Sequence, residues 1–344
     1  MKTPILFILF MAGLNVYSFA QSPQLEIFGS EDPLECTLAF DIKQLQKNKD
    51  EESYQDALVT IKLDDGVLLE KNIRLKSRGI FRKDFCNLPP IMLNLKDTTG
   101  KSIETTGIKT IKLVTHCHDN KAYTQYVLKE YLVYKLYNLL TEQSFKVRLM
   151  KIRYIDTGSK KSKEYLNYGF VIEDVDRVAE RNDAMEIDIK TLNREHLEME
   201  SMTRVAIFQF MIGNTDWSVP GLHNIKLLKS NDFTKTTPIP VPYDFDFCGF
   251  VNAPYSTPAE HLGIENVRIR YFRGICMSLD EYKAALQEFH DVKERVYQTL
   301  LEFEYIDDKT RKDITRFVDD FYKIIESDKL ITSSFSSTCK DLSR

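Results

Sequence analysis

The hydrophobic period of the chain changes along its length, and this change constrains the fold more than any other feature of the sequence. Up to Ile172 most apolar residues alternate with polar ones or form short β-rich runs, which is typical of strands. Within that region, residues 122–140 instead show the three-to-four-residue spacing of a helix. Beyond Glu173 helical spacing predominates. The sequence therefore predicts a β-rich front part with one long helix, followed by a mainly helical part.

Local signals place the predicted elements. The front part is predicted to be an antiparallel sheet, and the long helix to begin after Asn120 as its N-cap. The Asp65-Gly66 dipeptide indicates a hairpin turn. In the back part, Ser278 and Glu281 form a capping box at the start of a helix. The strand-like segments are residues 57–76, 91–95, 108–114, 147–155 and 168–172, and the other helical segments include 198–212 and 314–325.

The composition excludes several classes of protein. The 344 residues are 43% hydrophobic and 28% charged with a net charge of −4, which is ordinary for a folded protein and excludes a disordered chain, a collagen and a membrane bundle. A net negative charge also argues against a mainly electrostatic nucleic-acid binder. We therefore expect no nucleic-acid partner.

The N-terminus has the pattern of a secretory signal. Lys2 precedes an apolar run, and Ser18-Phe19-Ala20 provides small residues for cleavage after Ala20. We predict a signal peptide over residues 1–20, with an uncleaved anchor as the alternative. No later apolar run approaches membrane-spanning length, so we expect a secreted or periplasmic protein without an integral membrane segment.

The chain has six cysteines, all of them beyond the predicted cleavage point, and none forms a CxxC pair. An oxidising compartment would permit disulfides, and six cysteines allow 15 connectivities. Full pairing and partial pairing with free thiols both stay open. Cys86 and Cys117 lie at the edges of neighbouring predicted strands, so we predict a disulfide between them.

Acidic and amide residues cluster between the helices of the back part. Asp216 follows an apolar helix, Asn224 precedes an apolar run, and Asp244 and Asp246 follow an extended segment rich in proline. Two carboxylates and an amide on loops between regular elements make a hard oxygen site that suits Mg²⁺ and leaves positions for phosphate oxygens. The alternative is that these residues only form turns, as most Asp and Asn residues in loops do.

The order of these motifs resembles that of the CotH kinase family, secreted or spore-coat relatives of the protein kinases. The family's DxxxxN motif resembles Asp216 to Asn224, and its PWDFD motif resembles residues 242–246. Residues 73–79 are similar to its LRLRGNS segment, 122–140 to its SLLRNxLAYxL helix, and 168–173 to its GVYLLVE strand. The resemblance is piecemeal and covers about residues 57–250.

The resemblance implies a fold and an activity. The fold would be α+β and two-lobed, protein-kinase-like, with a β-rich lobe over residues 21–172 and a mainly helical lobe over 173–344. The activity would be metal-dependent transfer of phosphate from ATP, with Mg²⁺ or Mn²⁺, to a hydroxyl of an unknown protein or small-molecule acceptor. Asp216 would be the catalytic residue that orients or deprotonates this hydroxyl. The metal would be held by Asn224, Asp244 and Asp246, and the candidate ATP-binding residues are Lys76, Arg78, Lys112 and Glu173.

The departures from the family pattern keep other functions open. Asp216 and Asn224 are eight positions apart instead of five, so Val219-Pro220-Gly221 is a candidate insertion. A catalytically inactive binding protein, stabilised by Ca²⁺ and with a glycan or peptide ligand, is the main alternative. A glycosidase that uses Asp216 and Asp244 is another.

A second candidate metal site is formed by His116 and His118. On a strand, both rings would point to the same face and could bind Zn²⁺ or Cu²⁺. Two ligands without a third are not a site by themselves, so ordinary residues at the end of a strand are the alternative.

Overall fold

The structure, a computed structural model, describes residues 26–51, 53–62, 66, 68–95, 108–159 and 163–339. The predicted signal peptide over residues 1–20 lies outside these ranges. The strands and helices given below all lie within these ranges.

Seven of the described strands close into a barrel, in the order β1-β2-β3-β4-β5-β7-β6. Neighbouring strands are antiparallel except β1 and β6, which run parallel with Leu34 opposite Met150 and Phe40 opposite Asp156. Closure leaves these seven strands without an unpaired edge. The barrel strands β1 to β7 are Leu34–Phe40, Gln55–Lys62, Leu68–Ser77, Ile91–Asn94, Thr110–Val114, Val147–Asp156 and Lys163–Ile172.

The remaining described elements are a small antiparallel sheet and the helices. The small sheet has the order β10-β9-β8, where β8 is Ala184–Ile187, β9 is Ile225–Ser230 and β10 is Ile239–Pro242. Helices α1 to α10 are Ile42–Lys47, Phe81–Phe85, Lys121–Asn138, Val175–Arg181, Met199–Ile212, Leu279–Asp291, Lys293–Glu302, Asp308–Ile325, Asp328–Ile331 and Ser337–Cys339.

The local predictions are confirmed where the structure describes them. The predicted strands correspond to β2 to β7, and the long helix is α3, whose first N–H groups are capped by the Asn120 side chain. Ser278 and Glu281 form the predicted capping box at the start of α6. β2 and β3 pair antiparallel, and Gly66 between them has φ 82°, while Asp65 of the predicted hairpin turn lies outside the described residues. These features were predictable because each depends on a short window of sequence.

The predicted two-lobed, protein-kinase-like α+β fold is wrong. The front region forms a closed barrel that includes one parallel strand pair, instead of an antiparallel sheet, and the region beyond it carries a second small sheet as well as helices. Closure depends on β1, a strand that the sequence analysis did not identify. Its pairing with β6 joins residues more than a hundred positions apart, and no local pattern encodes such a contact.

Two apolar clusters hold the elements together. One fills the barrel with alternate residues of its strands, such as Leu38, Leu75 and Leu113. The other is larger and runs from the barrel residue Phe170 through α3 and α5 to α8. Helix α3 packs against β6 and β7 on one side and against α7 on the other. The loops that follow α5 and β10 are therefore held against the open end of the barrel by a continuous core.

Two disulfides join the described cysteines. Cys86 is bonded to Cys117, which confirms that prediction, and Cys276 is bonded to Cys339. Cys36 and Cys248 are free thiols and are buried. Disulfides fit a protein of an oxidising, extracellular compartment. In the described part of the chain, no helix combines the length and the apolar character that crossing a bilayer requires.

Candidate functional site

A cleft of about 610 Å³ lies between the barrel, α2, and the loops that follow α5 and β10. It is lined by both acidic and basic side chains. The lining residues are Arg78, Gly79, Ile80, Phe81, Arg82, Pro90, Lys112, Val114, Tyr134, Phe145, Ile172, Asp216, Gly221, Leu222, His223, Asn224, Tyr243, Asp244, Asp246 and Phe247. Six of the eight predicted site residues are thus brought together in one cleft.

Asp216 is positioned by the end of α5. Gly213 ends this helix at φ 66°, and a Cβ there would lie only 3.0 Å from atoms of Phe317 and Val267, so the turn requires glycine. The next residue, Asn214, is buried, and its side-chain oxygen accepts the Asp216 N–H over 2.9 Å. The Asp216 side chain is 38% exposed. This carboxylate therefore faces the cleft from a rigid turn.

Two neighbouring strands of the small sheet position Asn224 and Asp244. Asn224 directly precedes β9, Asp244 follows β10 after one residue, and the Tyr243 N–H donates to the Asn224 carbonyl over 3.1 Å. Both residues have a left-handed backbone, with φ 54° at Asn224 and φ 62° at Asp244. The Asp244 N–H donates to the hydroxyl of Tyr134 over 2.9 Å. Such conformations cost free energy in residues other than glycine and concentrate at functional sites.

Asn224 is oriented toward Asp216 despite the longer spacing. Its amide nitrogen donates to the Asp216 backbone carbonyl over 2.8 Å and to the carboxylate oxygen Oδ2 over 3.0 Å. Because the nitrogen of the amide is used, its oxygen is the atom left to act as a ligand. The eight-residue spacing thus leaves the two side chains in direct contact.

Asp246 is buried in the deep end of the cleft, with 5% of the residue exposed. Its carboxylate accepts a hydrogen bond from the Tyr255 hydroxyl over 3.0 Å and lies 4.0 Å from Arg82. Burial and the charge of Asp244 raise the pKa of Asp246 to about 7. Behind it, burial and the charge of Asp246 raise the pKa of Glu130 well above its ordinary value. Both carboxyl groups therefore favour their neutral forms, chiefly because of burial.

Arg78 and Lys112 supply positive charge to the cleft. Arg78 follows β3, and its backbone N–H donates to the Pro90 carbonyl over 2.9 Å. Lys112 lies on β5, with its ammonium 5.7 Å from the centre of the Tyr243 ring. Burial and the charge of Arg78 lower the pKa of Lys112. Two cationic side chains that line the same cleft are suited to an anionic ligand.

The residues present fit a divalent cation. Burial and, after it, the charge of Asp244 raise the pKa of Asp246, and a cation would offset that charge. The ligands available are carboxylate and amide oxygens, which Mg²⁺ prefers. Within the described residues, no group of three or more His, Cys, Asp and Glu side chains is arranged to hold a metal. A divalent ion bound here would be held by Asp244, Asp246 and the Asn224 amide oxygen, with other positions left to oxygens of a ligand.

Two predicted ligand-binding residues lie elsewhere. Lys76 is on β3 with its ammonium 5.3 Å from the centre of the Tyr54 ring, and it is not among the residues that line the cleft. Glu173 is buried, accepts the Lys146 N–H over 2.9 Å and pairs with Arg181 over 3.1 Å. Glu173 therefore joins the end of β7 to the start of β6 and to α4.

Sequence reasoning missed Glu130, Tyr255 and the contact of His223 with Asp216, and Arg82 is not among the predicted site residues. One signal for Glu130 was present, because it lies on the same helical face of α3 as Val127 and Tyr134. A carboxylate on an apolar face needs a buried partner, and that partner is Arg82. The partners of Tyr255 and His223 depend on loop geometry and gave no comparable signal.

His116 and His118, the second candidate metal site, have structural surroundings, and so does Trp217. His116 and His118 lie beyond the end of β5, in a turn where the His118 N–H donates to the His116 carbonyl over 2.7 Å, so they do not share a strand face. His116 is buried beside Tyr154, and His118 packs against Tyr123. Trp217 is only 1% exposed and belongs to the core, so its ring offers no surface for a ligand.

The chain was compared with models of protein families and with curated proteins. The resemblance to the CotH kinase family rests on the motifs described above, since neither comparison gave a match.

Proposed function

We propose that this chain is a metal-dependent phosphotransferase that transfers phosphate from ATP to a hydroxyl group, and that it is a divergent relative of the CotH kinase family. The observation that carries the proposal is the convergence of Asp216, Asn224 and Asp244 on one cleft with Arg78 and Lys112. Phosphoryl transfer needs a positioned hydroxyl and neutralised phosphate oxygens more than it needs covalent help from the protein. The proposal rests on this cleft and not on the overall fold.

The surroundings of each cleft residue support a specific role in the proposed reaction. Asp216 is a partly exposed carboxylate with a fixed orientation, so it would accept the proton of the attacking hydroxyl or orient it. Asn224, Asp244 and Asp246 would hold Mg²⁺ or Mn²⁺, which supplies positive charge at the phosphates. Arg78 and Lys112 would bind the phosphate oxygens.

The disulfides and the predicted signal peptide support a proposed place of action. Both disulfides fit an oxidising compartment, and we propose that the protein is secreted or periplasmic after removal of residues 1–20. The acceptor would be a hydroxyl-bearing protein or small molecule of that compartment.

The test is calorimetric titration of ATP with Mg²⁺ into the wild-type protein and two variants that each remove one carboxylate. Asp244→Asn should abolish binding because it replaces a charged metal ligand with a neutral amide. Asp280→Asn is the matched control, because Asp280 is exposed in the first turn of α6, outside the cleft, and this variant should bind like the wild type. Failure of the wild-type protein to bind ATP with either Mg²⁺ or Mn²⁺ would overturn the proposal.

An inactive binding protein is the second candidate function. The observation that favours it is a group of aromatic rings at one end of the cleft, where Phe81 contacts Phe85, Phe247 and Tyr255 with ring centres 5.4 to 5.5 Å apart. Phe81 is 45% exposed and could contact a peptide or a sugar. Stabilisation by Ca²⁺ with glycans or peptides, without any effect of ATP, would favour this function.

A further inference from the structure

The side chain of His223 contacts the proposed catalytic carboxylate. Its Nε2 lies 2.7 Å from Asp216 Oδ1, and the two side chains are 57% and 38% exposed. His223 also lines the cleft, so the contact lies where an acceptor would approach. Neither the DxxxxN pattern nor the predicted site residues include a histidine at this position.

The candidate insertion in the sequence explains how the ring reaches Asp216. Ser218 and His223 form a β-bridge, with N–H to carbonyl distances of 2.9 and 3.0 Å in the two directions. The residues between them form a tight turn, in which Gly221 has φ 80° and its N–H donates to the Lys190 carbonyl over 2.9 Å. Val219 is fully buried at the base of this turn. The extra residues therefore fold the chain back on itself and fix His223 beside Asp216.

The Asp216 carboxylate is consequently held at both oxygens. Asn224 donates to Oδ2 over 3.0 Å, and His223 occupies Oδ1. A carboxylate bonded at one oxygen can rotate about its terminal torsion, whereas two bonds from different directions prevent that rotation. Each oxygen keeps a second lone pair for an acceptor hydroxyl.

We propose that His223 is a positioning residue that holds Asp216 in the orientation required for phosphate transfer, an inference that rests on the proposed function. His223 acts through Asp216 and does not need to touch ATP. Its loss should therefore lower the rate of transfer and leave nucleotide binding unchanged.

The experiment measures kcat and the KM for ATP with Mg²⁺ in three variants, using release of ADP with water as the phosphate acceptor as the readout and calorimetric ATP binding as a second measurement. His223→Leu removes the hydrogen bond and should lower kcat by about 10-fold or more with an unchanged KM. His223→Gln retains an N–H donor at a similar reach and should restore most of kcat. His261→Leu is the control, because His261 is an exposed histidine outside the cleft, and it should match the wild type.

Each of three other experimental outcomes would contradict a specific claim. A wild-type kcat in His223→Leu overturns the role of His223 and leaves the proposed function intact. A His223→Gln variant as slow as His223→Leu overturns positioning, since the imidazole itself is then required. Absence of ATP binding and turnover in the wild-type protein overturns the proposed function and this inference together.

Discussion

The guanidinium of Arg82 donates to the carboxylate of Glu130 over 3.3 Å, with only 9% and 2% of the two side chains exposed. Arg82 also donates to the Thr115 carbonyl over 2.8 Å and lies 4.0 Å from Asp246. One cation on the short helix α2 therefore joins α3, the end of β5 and the loop after β10. Since it faces two buried carboxylates, this contact orders the deep end of the cleft.

Arg82→Ala should destabilise the protein strongly. The change leaves Glu130 and Asp246 buried without their cation, and breaking a buried pair in this way costs about 3–5 kcal/mol of unfolding free energy. Urea denaturation measures the difference. The control is Arg153→Ala, which removes an ion pair to Glu164 in which both side chains are about half exposed, and it should cost at most about 1 kcal/mol. Equal losses of unfolding free energy in the two variants would contradict the buried contact of Arg82 with Glu130 and Asp246.

Thiol reactivity should follow the disulfide pattern. Cys36 and Cys248 are buried, and burial raises the pKa of each thiol to about 12, so neither should react with a thiol reagent in the folded protein. Denaturation without reductant should expose two reactive thiols, and reduction should bring the total to six. Peptide mapping without reductant should recover the Cys86–Cys117 and Cys276–Cys339 pairs. A third disulfide or a different pairing would refute the prediction.

His116 should make the stability of the protein depend on pH, with a contribution that falls as the pH drops from 6.5 to about 4. The pKa of His116 is lowered from 6.5 to about 4, mainly by burial and also by the charges of Arg82 and the neighbouring His118. The negative charge of Asp119 acts in the opposite direction. In that window the unfolded chain binds a proton that the folded chain does not, so protonation favours unfolding by up to about 1.4 kcal/mol per pH unit.

His116→Phe should flatten this pH dependence, because it keeps a ring beside Tyr154 and removes the titrating group. Urea denaturation of both proteins between pH 4 and pH 7 gives the comparison. His261→Phe replaces an exposed histidine and should leave the wild-type profile unchanged. Parallel profiles for wild type and His116→Phe would show that residue 116 does not contribute.

Asp216 and Asp244 should separate transfer from binding. Asp216→Asn should lower the rate of phosphate transfer by about 10²-fold or more, because it removes the group that acts on the hydroxyl, and it should leave the affinity for ATP with Mg²⁺ within a few-fold of wild type. Asp244→Asn should abolish both. Loss of nucleotide binding in Asp216→Asn would place this residue among the metal ligands instead.

The sequence by itself determined the features that depend on short windows. The apolar spacing of α3, its N-cap at Asn120 and the capping box at Ser278 all predict local structure, because each involves contacts within a turn or two of helix. The disulfide between Cys86 and Cys117 was predicted because the two cysteines lie at the edges of neighbouring predicted strands. The order of the Asp216, Asn224 and Asp244 motifs likewise indicated one site.

Only the tertiary structure decided how distant parts meet. β1 pairs with β6 to close the barrel, Arg82 pairs with Glu130, and His223 contacts Asp216. Lys76 and Glu173 lie outside the cleft. None of these outcomes follows from a local period. The physical reason is that a strand edge or a buried charge is stable only when a partner satisfies its polar groups. Here those partners are distant in sequence, so only the folded chain brings them together.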